Sequence, residues 1–265
     1  MIDLRHGGRS VVNLVCVNNG GAESCIICDL SLELEQEAAL GAAARHALTL
    51  WQARLGDIVT VVDSLQRCFR ARICQLNDDG ALVVPFELLS EVESPLEICV
   101  YQALPEKERF ELVLQKLTEI GVDRIVPFVS QHSTTLEQRD AGQKKSHRWP
   151  DVILRAGRQC RRAQLPELMA VCEWSDVLES LAEWDVKLLL SEKGAAWSFR
   201  EGVGSSRPDR IALIIGPEGG FACEEIEQAQ QYGVVPVSLG ARILRTETAA
   251  IVAATLAQFC VGDYA

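Results

Sequence analysis

Between residues 56 and 89 the chain alternates. In "FRARICQL" the apolar positions fall at Phe69, Ala71 and Ile73, with Arg70, Arg72 and Cys74 between them. A period of two is the pattern of a strand with one buried face. "GDIVTVVD" before it and "ALVVPFELL" after it read the same way, and "NDDG" supplies turn residues between the last two. Several such strands in the first third of the chain predict a small antiparallel barrel. One helix, at "LEQEAALGAAARHALTLW", is expected to interrupt it.

After "EVESPLE", residues 91 to 97, the rhythm changes. "PEKERFELVLQKLTEIG" predicts a helix that starts at Pro105 and stops at Gly121, with Phe110, Val113, Leu114 and Leu117 as its buried stripe. "RIVPFVS" follows as a strand. Then "DVKLLLSE", "RIALIIGPEGG" and "GVVPVSLGARILR" each read as an apolar strand running into a loop. Strands alternating with helices predict a parallel sheet covered on its faces, with ligands beyond the carboxyl ends of the strands. "LLLSE", "IGPEGG" and "LGARILRTE" are therefore expected to converge on one site.

A length of 265 residues allows two domains, each able to bury a core. No apolar run reaches the length of a membrane span; "AAIVAATLAQFCV" is too short, and "VVNLVCVNNGG" near the start leads to no convincing cleavage site. The expectation is a cytoplasmic protein. Its ten Cys are scattered, some in strand-like runs such as "LEICVYQAL", as reduced core thiols usually are. Cys25 and Cys28 form a CxxC with no second pair at metal spacing, and His6, His46, His132 and His147 are dispersed, so no metal is expected.

A net charge of -11 disfavours general nucleic-acid binding. Locally the balance reverses. From Lys144 to Arg162 seven Lys or Arg stand against one Asp, and Arg155, Arg158 and Arg162 would share a helix face. That stretch reads either as a solvated helix face or as a surface for RNA.

"IIGPEGGFACEEI" is no phosphate loop. It lacks GxxxxGK[ST] and GxGxxG, and it places Glu218, Glu224 and Glu225 where an anion would sit. Three Gly and a Pro within residues 216 to 220 suggest close backbone approach to a flat, uncharged group such as adenine. The acidic tone suits a ligand carrying positive charge. In "LGARILRTETAA" the turn before the last helix carries Arg242, Arg245 and Glu247, more charge than packing requires. Glu247 and Thr248 could equally cap the helix, and Arg245 could pair with Glu247 at the surface.

"LIIGPEGGF" followed by "LGARILRTETA" resembles the SPOUT-class RNA methyltransferases, and more narrowly the RsmE-type 16S ribosomal RNA (uracil-N3) methyltransferases. "LQKLTEIGVDRIVPF" and "RQCRRAQLP" are similar to further motifs of that family, and "RHALTLWQARLGDIVTVVD" matches more weakly. The resemblance implies an α/β fold in which a SPOUT-type knotted parallel-sheet methyltransferase domain, residues 93–265, follows a small PUA-like β-barrel, residues 1–92. It implies S-adenosylmethionine bound between Leu190, Ser191, Ile215, Gly216, Pro217, Glu218, Gly219 and Gly220 on one side and Leu239, Gly240, Ile243, Leu244 and Thr248 on the other. For catalysis it points to Arg245, Glu247 and Glu218: Arg245 to stabilise the uracil imide anion, and Glu218 or a water to take the proton. RNA contacts are expected from Arg54, Lys116, Gln159 and Arg162. The implied partners are 16S ribosomal RNA, within the assembled small ribosomal subunit, and a second copy of the chain in a homodimer. Alternatives are another RNA target, a ribose 2′-OH or a tRNA, and a non-catalytic cofactor- or RNA-binding protein. Two departures, Arg158 where the family has an acidic residue and "LTLWQAR" where it has an Arg-rich pattern, bear on target choice more than on reaction type.

Overall fold

In a computed structural model, β3 (Ile58–Val62), β4 (Cys68–Asn77) and β5 (Gly80–Leu89) form the antiparallel meander that the alternation predicts. The residues described are 20–77, 80–90, 92–105, 109–143, 146–192, 197–205 and 207–264. The segment through Asn19, including His6, and the pair Lys144 and Lys145 lie outside them. Along β4, Phe69, Ala71 and Ile73 are buried while Arg72 is exposed, so period two has set the buried face.

Two short strands complete this sheet in the order β1-β3-β4-β5-β2. β1 (Ile26–Ile27) joins β3 in parallel, a departure from an all-antiparallel barrel. β2 (Ala38–Leu40) lies antiparallel to Ala81–Val83 of β5. The helix expected from Leu34 therefore begins later, as α1 (Ala42–Leu50), with Gly41 as its N-cap. Ladder bonds along β5 outweigh the helical preference of Ala38 and Ala39.

The second sheet has eight strands, all in parallel pairs: β11-β13-β10-β12-β6-β7-β8, with β9 also on β7. They are β6 (Glu97–Ala103), β7 (Arg124–Val129), β8 (Glu167–Leu168), β9 (Cys172–Glu173), β10 (Val186–Leu190), β11 (Trp197–Ser198), β12 (Arg210–Ile215) and β13 (Val235–Ser238). The helices are α2 (Arg109–Ile120), α3 (Leu136–Gln143), α4 (Trp149–Cys160), α5 (Trp174–Ser180), α6 (Phe199–Val203), α7 (Cys223–Gln231) and α8 (Thr246–Val261). Ile98, Val100, Ile211 and Leu213 pack with Phe110, Leu114, Ala253 and Ala257 on one face; Cys99, Tyr101, Ala212 and Ile214 pack with Val177, Leu181 and Trp184 on the other. Burial on both faces is why these strands read as continuous apolar runs.

The first face shares its core with the N-terminal sheet. At that junction Trp51 donates to the Ser24 carbonyl at 2.6 Å, and the Ser24 hydroxyl accepts from the Leu165 amide at 2.7 Å. Among the described residues, no helix is long and apolar enough to cross a membrane.

Candidate active site

The carboxyl ends of β10, β12 and β13 open into one cleft, completed by the first turn of α8. Its walls include Leu190, Ser191 and Ile215, the turn from Gly216 to Gly220, and Leu239, Gly240, Ile243 and Leu244. The three loops expected to converge do so. Strand order alone brings this about, because parallel neighbours deliver their carboxyl ends to the same edge.

Two of the glycines earn their place sterically. A Cβ on Gly216 would meet the Phe221 ring at 3.0 Å, and one on Gly219 would meet the His132 Cβ at the same distance. A side chain at Gly219 would thus meet the loop after β7. His132 also lies 3.2 Å, through Nδ1, from the Gly220 carbonyl. Beneath this turn the buried Glu225 accepts from the Ala222 and Gln131 amides, both at 2.9 Å.

The two walls are joined by one buried side chain. Thr246 donates to the Gly216 carbonyl at 2.6 Å and accepts from Gln102 Nε2 at 2.9 Å. Thr246 lines the cleft; Thr248, half-buried on the same turn, is not among its lining residues.

The charged candidates divide. Arg242 and Arg245 both line the cleft and are exposed, with no side-chain hydrogen bond or ion pair among the described residues. Glu218 lines it too, and Arg109 at the start of α2 reaches it at 2.6 Å. Glu247 does not line it. That residue is buried, with Oε2 lacking a hydrogen-bond partner among the described residues, so the surface pair Arg245–Glu247 does not form. Its position in the first helical turn favours a carboxylate through the helix dipole.

The RNA candidates do not gather. The Arg54 guanidinium is exposed and Gln159 is exposed on α4, whereas Lys116 is held by Glu119 at 2.7 Å. Arg158 binds the carbonyls of Trp51 and Gln52 and clamps the two sheets' lobes together. Arg162 is an interior strut, contrary to the shared basic face expected with Arg155 and Arg158. Its side chain is 5% exposed, and it reaches Glu93 at 2.8 Å and the Val122 carbonyl at 2.6 Å. Arg161 adopts a left-handed conformation at the end of α4, and that reversal turns the next residue inward.

Arg109 and His132 were missed by sequence reasoning, whereas Glu192 and Thr246 lie in loops expected at the site but were not singled out. The first two arrive from α2 and the loop after β7, far away in the chain, and carry no local signal.

A doubly covered parallel sheet with a cleft at this edge, floored by a glycine turn, defines the class: residues 92–258 match the RNA methyltransferase domain family. Over 239 residues the chain is 31% identical to ribosomal RNA small subunit methyltransferase E of Buchnera aphidicola, covering 88% of this chain and 92% of that one. It belongs to the ribosomal RNA small subunit methyltransferase E family. Among solved structures, the Neisseria gonorrhoeae member bound to S-adenosyl methionine superposes with a TM-score of 0.65 at 28% identity, over 91% of this chain and 98% of that one. A Legionella pneumophila methyltransferase in complex with the same cofactor gives 0.64 at 33% identity, over 90% and 98%. The fold is the SPOUT-type α/β methyltransferase fold.

Proposed function

We propose that this chain transfers the methyl group of S-adenosylmethionine to N3 of a uridine in 16S ribosomal RNA. The carrying observation is the cleft itself, lined by a glycine turn, an "LGARILRTE" turn and two guanidiniums without a partner among the described residues. The residues fit the cofactor. Leu190, Ile215, Val237, Leu239 and Leu244 offer apolar walls for adenine and ribose, the two turns offer backbone groups, and Glu192 and Glu218 suit a cation. When bound, S-adenosylmethionine supplies a methyl group activated by its sulfonium.

The chain's own residues must position the base and manage its charge. Loss of the N3 proton leaves negative charge on the flanking carbonyls, and Arg245 stabilises it from the mouth of the cleft. Glu218, steadied by Arg109, takes the proton directly or through a water. Glu247 acts from beneath as a positioning residue for the first turn of α8. Fixing donor and acceptor in line contributes several kcal/mol.

Three wider assignments go with this reading. Residues 1–92 form the PUA-like RNA-binding lobe and 93–265 the catalytic domain. The chain is a homodimer, for α8 carries a second apolar stripe, Val252, Leu256 and the exposed Phe259, beside its buried alanines. The assembled small subunit, in the cytoplasm, is the substrate.

Nucleoside mass spectrometry of 16S RNA from a deletion strain tests the function. Loss of 3-methyluridine, restored by wild type but not by Arg245→Ala, is expected. Retained 3-methyluridine, with a ribose-methylated nucleoside lost instead, would move the acceptor to a 2′-OH.

A further inference from the structure

A second pocket, of about 190 Å3, lies between the two lobes, with Ile26, Trp51, Ala53 and Ile58 from one and Gly157 and Arg161 from the other. That volume equals roughly six waters, room for one planar ring system. One side is apolar. The other carries Arg70, Arg158, Arg161 and Arg162 against a single lining carboxylate, Asp57. Two of these charges are already answered: Arg162 by Glu93, and Arg158 by two carbonyls and by Asp57 at 3.7 Å.

Arg161 is not, and Arg70 has opposite it on β5 only the exposed Glu87, which opposes its shift through space. Arg70 donates to the Thr60 hydroxyl at 3.1 Å and the Arg161 carbonyl at 3.2 Å, and its buried Nε has no partner among the described residues. Burial, and then the neighbouring Arg161 charge, push the Arg70 guanidinium below its ordinary range. Arg161 is exposed, and its guanidinium touches no acid or carbonyl of the described chain. It also holds φ 63°, ψ 36° at a helix end, a conformation that glycine adopts at less cost. Neither packing nor pairing accounts for an arginine there.

The pocket stands apart from the methyl-transfer cleft. The cleft sits at the first turn of α8, whereas Arg161 and Arg162 line a neighbouring hollow together with Asp263 and Tyr264, just beyond its last turn. Sixteen residues of helix separate the two ends, about 24 Å.

We propose that this pocket is a second RNA subsite that takes one splayed nucleotide of the substrate strand, its phosphate on Arg161 and Arg70 and its base against Ile58 and the edge of Trp51. The inference rests on the RNA substrate proposed above. The nucleotide it holds is not the one that is methylated. An acidic protein gains from such a subsite, because it concentrates cation where the backbone passes and lets a base seat on apolar surface. Unstacked bases are the usual targets in single-stranded RNA.

Two variants test it, with small ribosomal subunits from the deletion strain as the RNA probe and filter binding at several salt concentrations. Arg161→Gly relieves the left-handed backbone, so its melting temperature should hold or rise. Its RNA affinity should fall about five- to tenfold, and the log–log salt slope should become shallower by about 0.7. Ile58 is 51% exposed, so Ile58→Ser should fold normally. It should weaken RNA binding about threefold with the salt slope unchanged, since no phosphate contact is lost. In both, S-adenosylmethionine affinity and kcat at saturating RNA should match wild type. Unchanged RNA affinity in either variant overturns the subsite, as does a fall in kcat equal to the fall in affinity. Wild-type protein assayed in parallel for 3-methyluridine separates this result from the functional reading: binding can fail to change in an enzyme that still methylates.

Discussion

The hydroxyl of Thr246 lies 2.6 Å from the carbonyl oxygen of Gly216 and donates to it, so the first residue of the last helix fixes the start of the glycine turn. Gln102, fully buried on β6, donates to the same hydroxyl. Thr246→Val keeps the shape and removes both bonds, at a cost of about 1–3 kcal/mol because the groups left behind are buried. S-adenosylmethionine binding should weaken about tenfold by calorimetry, while Thr246→Ser should restore it. Wild-type affinity in the valine variant would show that the two walls hold without this link.

The contact between Gly219 and His132 gives a second test. Gly219→Val should abolish cofactor binding in a folded protein, since its Cβ would press on the His132 Cβ from 3.0 Å and its branched side chain would stand in the wall of the cleft. Gly219→Ala should weaken binding more modestly. Combining Gly219→Ala with His132→Gly should recover most of that loss, a coupling that a double-mutant cycle reads directly. Strict additivity would mean that Gly219 meets the ligand and not the histidine.

What the sequence made legible follows the range of the physics. The three strand-end loops could be brought together from chain order, because a covered parallel sheet leaves few choices for where they go. β4 could be read from Phe69, Ala71 and Ile73 because alternation is local. The start of α1 could not. Ala38 to Leu40 favour a helix by composition, and their strand exists because β5 offers a distant edge. Arg162 misled for a related reason: its charge is legible, but the left-handed turn at Arg161 that buries it leaves no pattern in composition. Thr246 and Thr248 differ by half a helical turn, which only the packed helix resolves.

Two aspartates should give opposite pH dependences of stability. Burial alone would raise Asp63, but the Arg67 guanidinium at 2.7 Å and the amides of Arg67, Leu32 and Leu65 hold it below the ordinary carboxylate range. Its contribution is present above the unfolded pKa, about 4, and is lost as pH falls through the depressed folded value. Asp123 is pushed up to about 6, by burial first, with Ile98 and Arg162 opposing and Glu93 reinforcing. A raised carboxylate makes stability decline as pH climbs from about 4 to about 6, by about 2–3 kcal/mol. In urea titrations from pH 3 to 8, Asp63→Asn should lower stability at neutral pH and flatten the acid limb. Asp123→Asn should instead remove the decline between pH 4 and 6. A steepened decline in the second variant would mean that Asp123 is charged and paired throughout.

Arg162 provides the sharpest contrast between a surface and an interior role. Were it an RNA contact, Arg162→Ala would leave the fold and the cofactor untouched and make the salt dependence of RNA binding shallower. The structure places it otherwise. Its guanidinium bridges Glu93, the Val122 carbonyl and, at 3.9 Å, Asp123, while Glu93 also accepts from the Ala163 and Gln164 amides. Removing the cation strands a carboxylate and a carbonyl at the junction of the lobes, a loss of about 3–5 kcal/mol. Arg162→Ala should therefore lower the melting temperature by several degrees and weaken RNA and cofactor binding together, with an unaltered salt slope. Arg162→Ala paired with Glu93→Ala should recover part of the loss, since the stranded charge goes too. Selective loss of RNA affinity at full thermal stability would return Arg162 to the surface.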